Sequence, residues 1–356
     1  MAFIQLKRAS LAHNYKYLDK KFKQNGIEWG VVAKLLCGNK AYLQELLNLG
    51  INEIHDSRIS NLKAVKALDS SVQTVYIKPP AKRAIRSVVS YADVSFNTEL
   101  VTMELLSKEA VRQGKNHKVI IMVEMGDLRE GVLGNELLSF YAEVFDLPNI
   151  EVIGLGTNLN CLHGVMPSTD KLVQLSLYEQ LIEAKFNKHI PFISGGTSVV
   201  IPLLLRKQLP KAVNHFRVGE ALFFGNNLFT GKGYKHMKQD VFTLYAEIIE
   251  LTEKPKVPVG EMAENPSGEN FEINEEDYGK TSYRALLDIG LLDINPEFLI
   301  PRDKRVEIVG ASSDMLVIDF GEDPGKYKVG DLVSFQMKYM GALGILNSNY
   351  IAKELA

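Results

Sequence analysis

Cysteine is scarce in this sequence: Cys37 and Cys161 stand far apart, with no CxxC pair and no Cys/His cluster around either. That spacing excludes a zinc site of the usual kind and a disulfide framework, so no metal is expected and each cysteine is expected as a reduced thiol. An excess of charge of one sign is also missing. Lys plus Arg number 41 against 43 Asp plus Glu, a net charge of −2, and no whole-molecule field gathers nucleic acid or anionic membrane. The expected partner is therefore a small molecule or a second copy of the chain. Long apolar runs are absent too. The opening "MAFIQLKRASLAHNYKYLDKKF" mixes charges into its apolar positions and lacks the h-region of a signal peptide. The stretch "VVIPLLL" (199–205) is far too short to span a bilayer and contains a proline. A soluble cytoplasmic protein is the expectation.

What is present is length and a repeated pattern. A chain of 356 residues buries a large core and exceeds one ordinary compact domain, so one large domain plus a smaller one is expected. Eight β-rich runs recur: 29–36, 53–57, 74–78, 93–97, 118–125, 151–159, 191–196 and 216–225. Between them lie segments of helical spacing, such as "NKAYLQELLNLG" with Tyr42, Leu43, Leu46, Leu47 and Leu49 apolar and Gly50 at a C-cap position. Strands apolar on both faces, each followed by a helix, predict a parallel sheet, and eight repeats predict a closed (β/α)8 TIM-type barrel, with an open doubly wound sheet as the alternative. After about residue 237 the texture changes to alternating runs with Gly-Asp turn signals and little helix. The reading is a barrel over 9–236 and a C-terminal β-domain over 237–356 that also takes residues 1–8, with "AFIQLKR" as its returning strand.

The run "WGVVAKLLCG" (29–38) ends in a lysine where a buried charge costs most. An unpaired ammonium in an apolar setting sheds its proton, so Lys34 is expected to be neutral, paired or covalently used. In a barrel the site lies at the C-terminal strand ends. Arg129 follows the fifth strand, Asn158 and Cys161 the sixth, "SGGTS" the seventh, and Arg217 opens "RVGEALFFG". Taken singly, each has a plain structural explanation: a salt-bridged lysine, a solvated arginine, Ser198 as a helix cap, Gly195-Gly196 as a turn. Taken together, a lysine, two arginines and a Gly-Gly-Thr-Ser turn converge on one rim. A glycine-bearing turn feeding a helix N-terminus offers N–H donors to a phosphate, and lysine plus phosphate cradle points to pyridoxal phosphate (PLP).

The order "VVAKLLCGN", "DSRISNLK", "VEMGDLREGV", "GLGTNLNC", "ISGGTSVV", "FRVGEALFFG" and "GASSDMLVIDF" resembles the alanine racemase type of PLP enzyme, its ornithine racemase branch in particular, over essentially the whole chain. The resemblance implies that Lys34 holds PLP as a Schiff base and that Arg129 serves the cofactor and substrate carboxylate. It implies that Ser198, Gly219 and Glu220, with Thr197 adjacent, hold the phosphate, and that Arg217 faces the pyridine nitrogen. It also implies a barrel plus β-domain working as a head-to-tail homodimer. An arginine at the ring nitrogen, with a pKa above about 12, does not readily give up its proton, which favours reprotonation over transamination. The freed Lys34 amine then moves the Cα proton on one face.

Departures from the family pattern adjust this expectation. Gly38 stands where a phosphate-supporting tyrosine is usual, Asn158 replaces a ring-stacking histidine, and Leu291 occupies the place of the partner-subunit tyrosine that acts on the opposite face. Strict alanine racemase activity is therefore disfavoured against a racemase of a basic amino acid such as ornithine or lysine. Alanine or broad specificity, and a non-catalytic PLP-binding protein, are the alternatives. Tyr339, ahead of Tyr350, is the candidate to reach the phosphate. Cys161, ahead of Cys37, is the candidate opposite-face acid, its thiol lowered by nearby positive charge. Asp127 is placed to pair with a distal ammonium, and Asp314 joins it and Arg129 among the substrate-binding candidates. A metal-dependent aldolase or dehydratase on the same barrel would need ligands in the C-terminal domain, where no histidine follows His236 and no cysteine occurs.

Overall fold

The computed structural model describes residues 2–264 and 272–356. Strand β1 (Phe3–Leu6) is followed by nine short parallel strands: β2 (Glu28–Val32), β3 (Glu53–Asp56), β4 (Gln73–Tyr76), β5 (Val94–Asn97), β6 (His117–Met122), β7 (Ile150–Gly156), β8 (Phe192–Ser194), β9 (Gly196–Thr197) and β10 (His215–Val218). Their order, β8-β7-β6-β5-β4-β3-β2-β10-β9, closes a ring, because β8 and β9 are one strand broken at Gly195. Its first half pairs with β7 (Leu155 opposite Ile193) and its second with β10 (Arg217 opposite Thr197). The result is a (β/α)8 barrel. Gly196 is required at the closure: an added Cβ would lie 2.0 Å from the Phe216 ring.

Helices α1 (Arg8–Lys23), α2 (Lys40–Asn48), α3 (Ile59–Leu68), α4 (Ile85–Tyr91), α5 (Leu100–Gln113), α6 (Leu137–Phe145), α7 (Thr169–Phe186), α8 (Ile201–Leu205) and α9 (Glu220–Phe224) alternate with the strands. Local chemistry sets their ends. Asn39 caps α2, its side chain accepting from the Tyr42 N–H at 3.1 Å, and Gly50 follows with φ +81°. Inside the barrel Val75, Val94, Phe96, Ile120, Met122 and Ile153 form one buried cluster. Each such side chain contributes about 1.5–3 kcal/mol of burial. The eighth run departs from its expected extent, since only His215–Val218 is strand and Glu220–Phe224 turns helical.

Contacts divide the chain into two units, residues 8–241 and residues 1–7 with 242–356. The second is an antiparallel β-domain. It contains β11 (Phe242–Pro255), β12 (Thr281–Leu287), β13 (Leu299–Pro301), β14 (Glu307–Ala311), β15 (Leu316–Asp319), β16 (Leu332–Met337) and β17 (Ala352–Leu355). The long β11 is central, flanked by β16 and β12. The N-terminal β1 runs antiparallel to β11 and parallel to β17. One helix, α10 (Tyr339–Asn347), interrupts a region whose sequence reads as strand and turn.

Candidate active site

The first barrel strand ends earlier than its apolar run suggests. Ala33 still donates its N–H to the His55 carbonyl at 2.9 Å, but Lys34–Leu36 form a 3-10 turn that buries Leu35 and Leu36 and lifts Lys34 onto the exposed rim. Lys34 is thus exposed rather than set in the apolar core, because the chain changes direction at the strand end. The turn closes at Cys37 (φ +50°) and Gly38 (φ +75°), where an added Cβ would meet the Asn61 amide oxygen at 2.8 Å. Across the next strand end, Asp56 is buried and accepts from the Arg58 N–H (2.8 Å) and the Asn61 side chain (3.1 Å). Burial pushes its carboxyl up to about 6, with Asn61, the local backbone and the charge on Lys34 pulling the other way.

Arg217 is the fixed point of the site. It is 4 % exposed, inside the barrel, and the groups it donates to are all neutral. One Nη donates to the Ser194 carbonyl (2.6 Å) and hydroxyl (2.7 Å), the other to the Thr157 carbonyl (2.7 Å) and the Asn158 Oδ1 (2.8 Å). The guanidinium lies 5.2 Å from the Phe96 ring centroid. Burial pushes its pKa down to about 10. Asn158 turns its amide N–H to Glu130, and Glu130 also pairs with Arg129. Arg129 is thus exposed but engaged by its own neighbour, and Glu130 joins the network although the sequence pattern gave it no role. Thr157, next to Arg217, buries a hydroxyl with no hydrogen-bond partner.

Beyond strands β9 and β10 the chain makes two adjoining turns. Ser198 is buried, and its hydroxyl accepts from the Ala221 N–H at 3.2 Å, which ties the turn after β9 to the start of α9. Gly219 permits the approach: an added Cβ would lie 2.9 Å from the Val32 carbonyl at the end of β2. Thr197 and Glu220 flank the pair, both half-buried. Burial pushes the Glu220 carboxyl up to about 7 against the pull of Lys34. Lys34 is therefore within electrostatic range of both Asp56 and Glu220.

Two candidates are corrected here. Asp127 is 1 % exposed, and its carboxylate is consumed by four backbone N–H donors: Cys161 (2.8 Å), Leu162 (2.9 Å), His163 (3.2 Å) and Val165 (3.1 Å). Burial alone would raise its pKa, but these donors hold it below the usual carboxylate range. It anchors the 161–165 loop and has no lone pair aimed at a substrate ammonium. Cys161, exposed on that loop, turns its sulfur toward the Leu159 carbonyl at 3.6 Å. Although the residue as a whole is exposed, desolvation of its sulfur pushes the thiol up, and Arg129 and Lys34 only partly offset it. The expected lowering by positive charge does not occur.

Deeper in the barrel a cluster that sequence inspection passed over comes together. Glu53 Oε1 lies 2.5 Å from His55 Nε2 and 2.9 Å from His215 Nε2, and Gln73 donates to Oε2 at 2.8 Å. Burial opposes the charge on Glu53, but the two imidazoles hold its pKa well below the ordinary carboxylate range, while burial lowers that of His55. Strand alternation was the available signal, because Glu53 and His55 are two apart and share the interior face. Among the described residues this is the one His/Glu group with metal-ligand proximity. The carboxylate already bridges both rings directly, so the cluster is a hydrogen-bonded triad.

In the β-domain, Asp314 is exposed on the Ser312–Met315 turn and accepts from the Ser312 and Ser313 hydroxyls, both at 3.2 Å. Leu291 donates its N–H to the Ser312 carbonyl at 2.9 Å, so Leu291 and Asp314 share one surface. Tyr339 is half-buried at the start of α10, and Tyr350 is exposed.

Comparison with known proteins places these features in context. Residues 6–227 match the family model described as alanine racemase, N-terminal domain. The chain is 37 % identical over 346 residues to an ornithine racemase of Acetoanaerobium sticklandii, covering 97 % of each. It is 28 % identical over 343 residues to a lysine racemase of Thermotoga maritima, covering 96 % of this chain and 95 % of that one. An alanine racemase structure from Bartonella henselae with covalently bound pyridoxal phosphate superposes with a TM-score of 0.75 at 17 % identity, covering 100 % of this chain and 99 % of the other.

Proposed function

The chain belongs to the alanine racemase family, and from that premise we propose that it is a PLP-dependent racemase interconverting the L and D forms of a basic amino acid, ornithine or lysine. The observation that carries the reading is the group of donors gathered at the strand ends. Lys34 supplies an amine on the rim, and Ser198 with the Gly219–Glu220 turn offers a hydroxyl and main-chain N–H groups beside a helix start. Arg217 supplies a fixed cation inside the barrel, and no carboxylate is bonded to it. The fit to PLP is supported by the unpartnered, buried Thr157 hydroxyl beside Arg217.

PLP, when bound, supplies the electron withdrawal that makes the substrate Cα–H acidic. The residues of the chain do the rest. Lys34 holds the cofactor covalently and, once released, its ε-amine takes or returns the Cα proton on one face. Arg217 presents N–H donors that cannot protonate a pyridine nitrogen, which keeps proton return at Cα ahead of competing reactions. Thr197, Ser198, Gly219 and Glu220 hold the phosphate, and Glu220 does so best below about pH 7, where its carboxyl is neutral. Asn158 steadies the cofactor side of Arg217 while Glu130 positions Arg129 for the substrate carboxylate. Cys161 gives up a proton on the opposite face, a task for which a thiol kept protonated at neutral pH is suited. Tyr339 and Asp314 remain proposed contacts of cofactor and substrate.

Ornithine or lysine is preferred because an ornithine racemase and a lysine racemase match over nearly their whole length at 37 % and 28 % identity. Leu291, which carries no proton, disfavours an alanine racemase mechanism. The reading includes a head-to-tail homodimer, which the family resemblance implies, and a cytoplasmic location, which the charged N-terminal segment suggests; no helix among the described residues is long and apolar enough to cross a membrane. The test is a D/L assay against alanine, serine, lysine, ornithine and arginine, run with an absorbance spectrum of the purified protein. Turnover of ornithine or lysine well above alanine, with absorbance from lysine-bound cofactor, is expected. A colourless protein that binds no PLP, or one that prefers alanine, overturns it.

A further inference from the structure

The Glu53–His55–His215 triad is not isolated from the rim. His215 Nδ1 lies 2.6 Å from the Ser194 hydroxyl, and that hydroxyl lies 2.7 Å from Arg217 Nη1. A continuous path therefore runs from Glu53, at the first residue of β3, to Arg217 near the end of β10. Glu53 and Asp56 are the two ends of one strand, about 10 Å apart at the usual rise, so the path connects the N-terminal end of the barrel strands to the catalytic rim.

The direction of every hydrogen bond follows from the donor inventory. Arg217 can only donate, so the Ser194 oxygen accepts from it. The Ser194 O–H then has one acceptor in reach, His215 Nδ1. An imidazole accepting at Nδ1 carries its proton on Nε2, which donates to Glu53 Oε1 at 2.9 Å. His55 donates to the same oxygen through Nε2, leaving its buried Nδ1 as a bare lone pair without a partner. That is tolerable for a neutral ring and costly for an imidazolium, whose second N–H would be stranded. Gln73 completes Glu53 at its other oxygen. Room for the triad is made at Gly30, where an added Cβ would lie 2.3 Å from His55 Nε2 and 2.5 Å from Glu53 Oε1.

The charges balance along the same line. Arg217 is buried among two carbonyls, a hydroxyl and an amide, none of them charged. A carboxylate stands beyond each end of this neutral shell: Glu130 behind Asn158 toward the rim, and Glu53 behind Ser194 and His215 toward the interior. We propose that Glu53, His215 and Ser194 form a one-directional hydrogen-bond chain that orients the Arg217 guanidinium and balances its charge, making Glu53 a positioning residue for racemisation although it is remote from the reacting atoms. Polarised chains of this kind strengthen each member in a low-dielectric interior. The inference rests on the racemase reading for its catalytic consequence, while the chain's polarity stands independently of any cofactor.

The experiment has two readouts. In protein labelled with 15N-histidine, His215 is expected as the tautomer with its proton on Nε2, assigned with a His215→Asn variant. A proton on Nδ1, or on both nitrogens, overturns the chain. Ser194→Ala removes the donor to Nδ1, and the Nδ1 signal is expected to move to that of a free imidazole nitrogen. This variant also serves if Glu53→Gln does not fold. The second readout is a double-mutant cycle on the cofactor-loaded enzyme. Glu53→Gln and Ser194→Ala each lower kcat about tenfold at nearly unchanged KM and shift the pH titration of cofactor absorbance, and the double variant is no worse than the weaker single one. Additive losses, or a change confined to KM, overturn the proposal. Failure to bind PLP would defeat the racemase reading alone, because the tautomer measurement needs none.

Discussion

Replacing Asp127 with asparagine tests whether this residue holds a loop or reads a substrate. Its carboxylate receives four N–H groups between 2.8 and 3.2 Å. Asparagine keeps one acceptor oxygen and turns an NH2 toward the remaining donors, so about half of the bonds are lost. A bond to a charged acceptor is worth about 1.5–3 kcal/mol when buried. Cys161, Leu162 and His163 are exposed, and water recovers much of that. A net loss of about 2 kcal/mol follows, which shifts the order–disorder equilibrium of the loop by about 30-fold. Since the loop carries Cys161, racemisation should fall by similar factors on ornithine, lysine and alanine, and the amides of Cys161, Leu162, His163 and Val165 should exchange faster with solvent. The folded pKa of Asp127 lies below the usual carboxylate value. Its stabilisation is therefore present above about pH 4 and lost as pH falls through the depressed value, and the variant should lack that acid-side decline. A selective loss on ornithine and lysine, with amide exchange unchanged, would refute the loop-anchor role.

Three further outcomes are expected. Lys34→Ala should abolish both the absorbance of lysine-bound cofactor and exchange of the substrate Cα proton with deuterium, and surviving exchange would exclude Lys34 as the base. Cys161→Ala should slow racemisation in both directions with the absorbance intact, and retained two-way turnover would shift the opposite-face proton to Cys37, a partner-subunit group or Lys34 itself. Glu220, whose carboxyl is raised to about 7 by burial, contributes stability that is complete below about pH 4.5 and lost as pH rises through 7. Glu220→Gln should flatten that decline in thermal melts and weaken the pH dependence of PLP affinity, and an unchanged slope counts against a buried carboxyl there.

The barrel was legible because each of its strands is a short apolar run between helical segments, and all eight runs contain a strand at or within a few residues of the expected place. Interior charge was less legible. Lys34 follows an unbroken apolar run, so the run could not reveal that the chain turns at Ala33 and carries the ammonium outward. Asp127 reads as a free loop carboxylate until the 161–165 loop folds over it, because its partners are main-chain N–H groups more than 30 residues away. Glu53 and His55 stand on one strand, but His215 and Ser194 reach them only when the barrel closes. Helix α10 was hidden among glycines and a tyrosine that also suit turns and strands. The positions of Arg217, Ser198 and Gly219 at the strand ends were legible because their spacing relative to the strands is local.

The pairing of β1 with β17 carries a kinetic consequence. Phe3–Leu6 lie beside Ala352–Leu355 in one sheet, the most distant residues in the chain made into nearest neighbours. The barrel residues are all synthesised before the strands of the β-domain other than β1, so that unit has its full set of strands while the chain is still growing. The edge of β1 that receives β17 stays unpaired until the last strand emerges. During that interval it is an open template for pairing with another copy, and once β17 docks the open edge passes from β1 to β17, whose one strand partner among the described residues is β1.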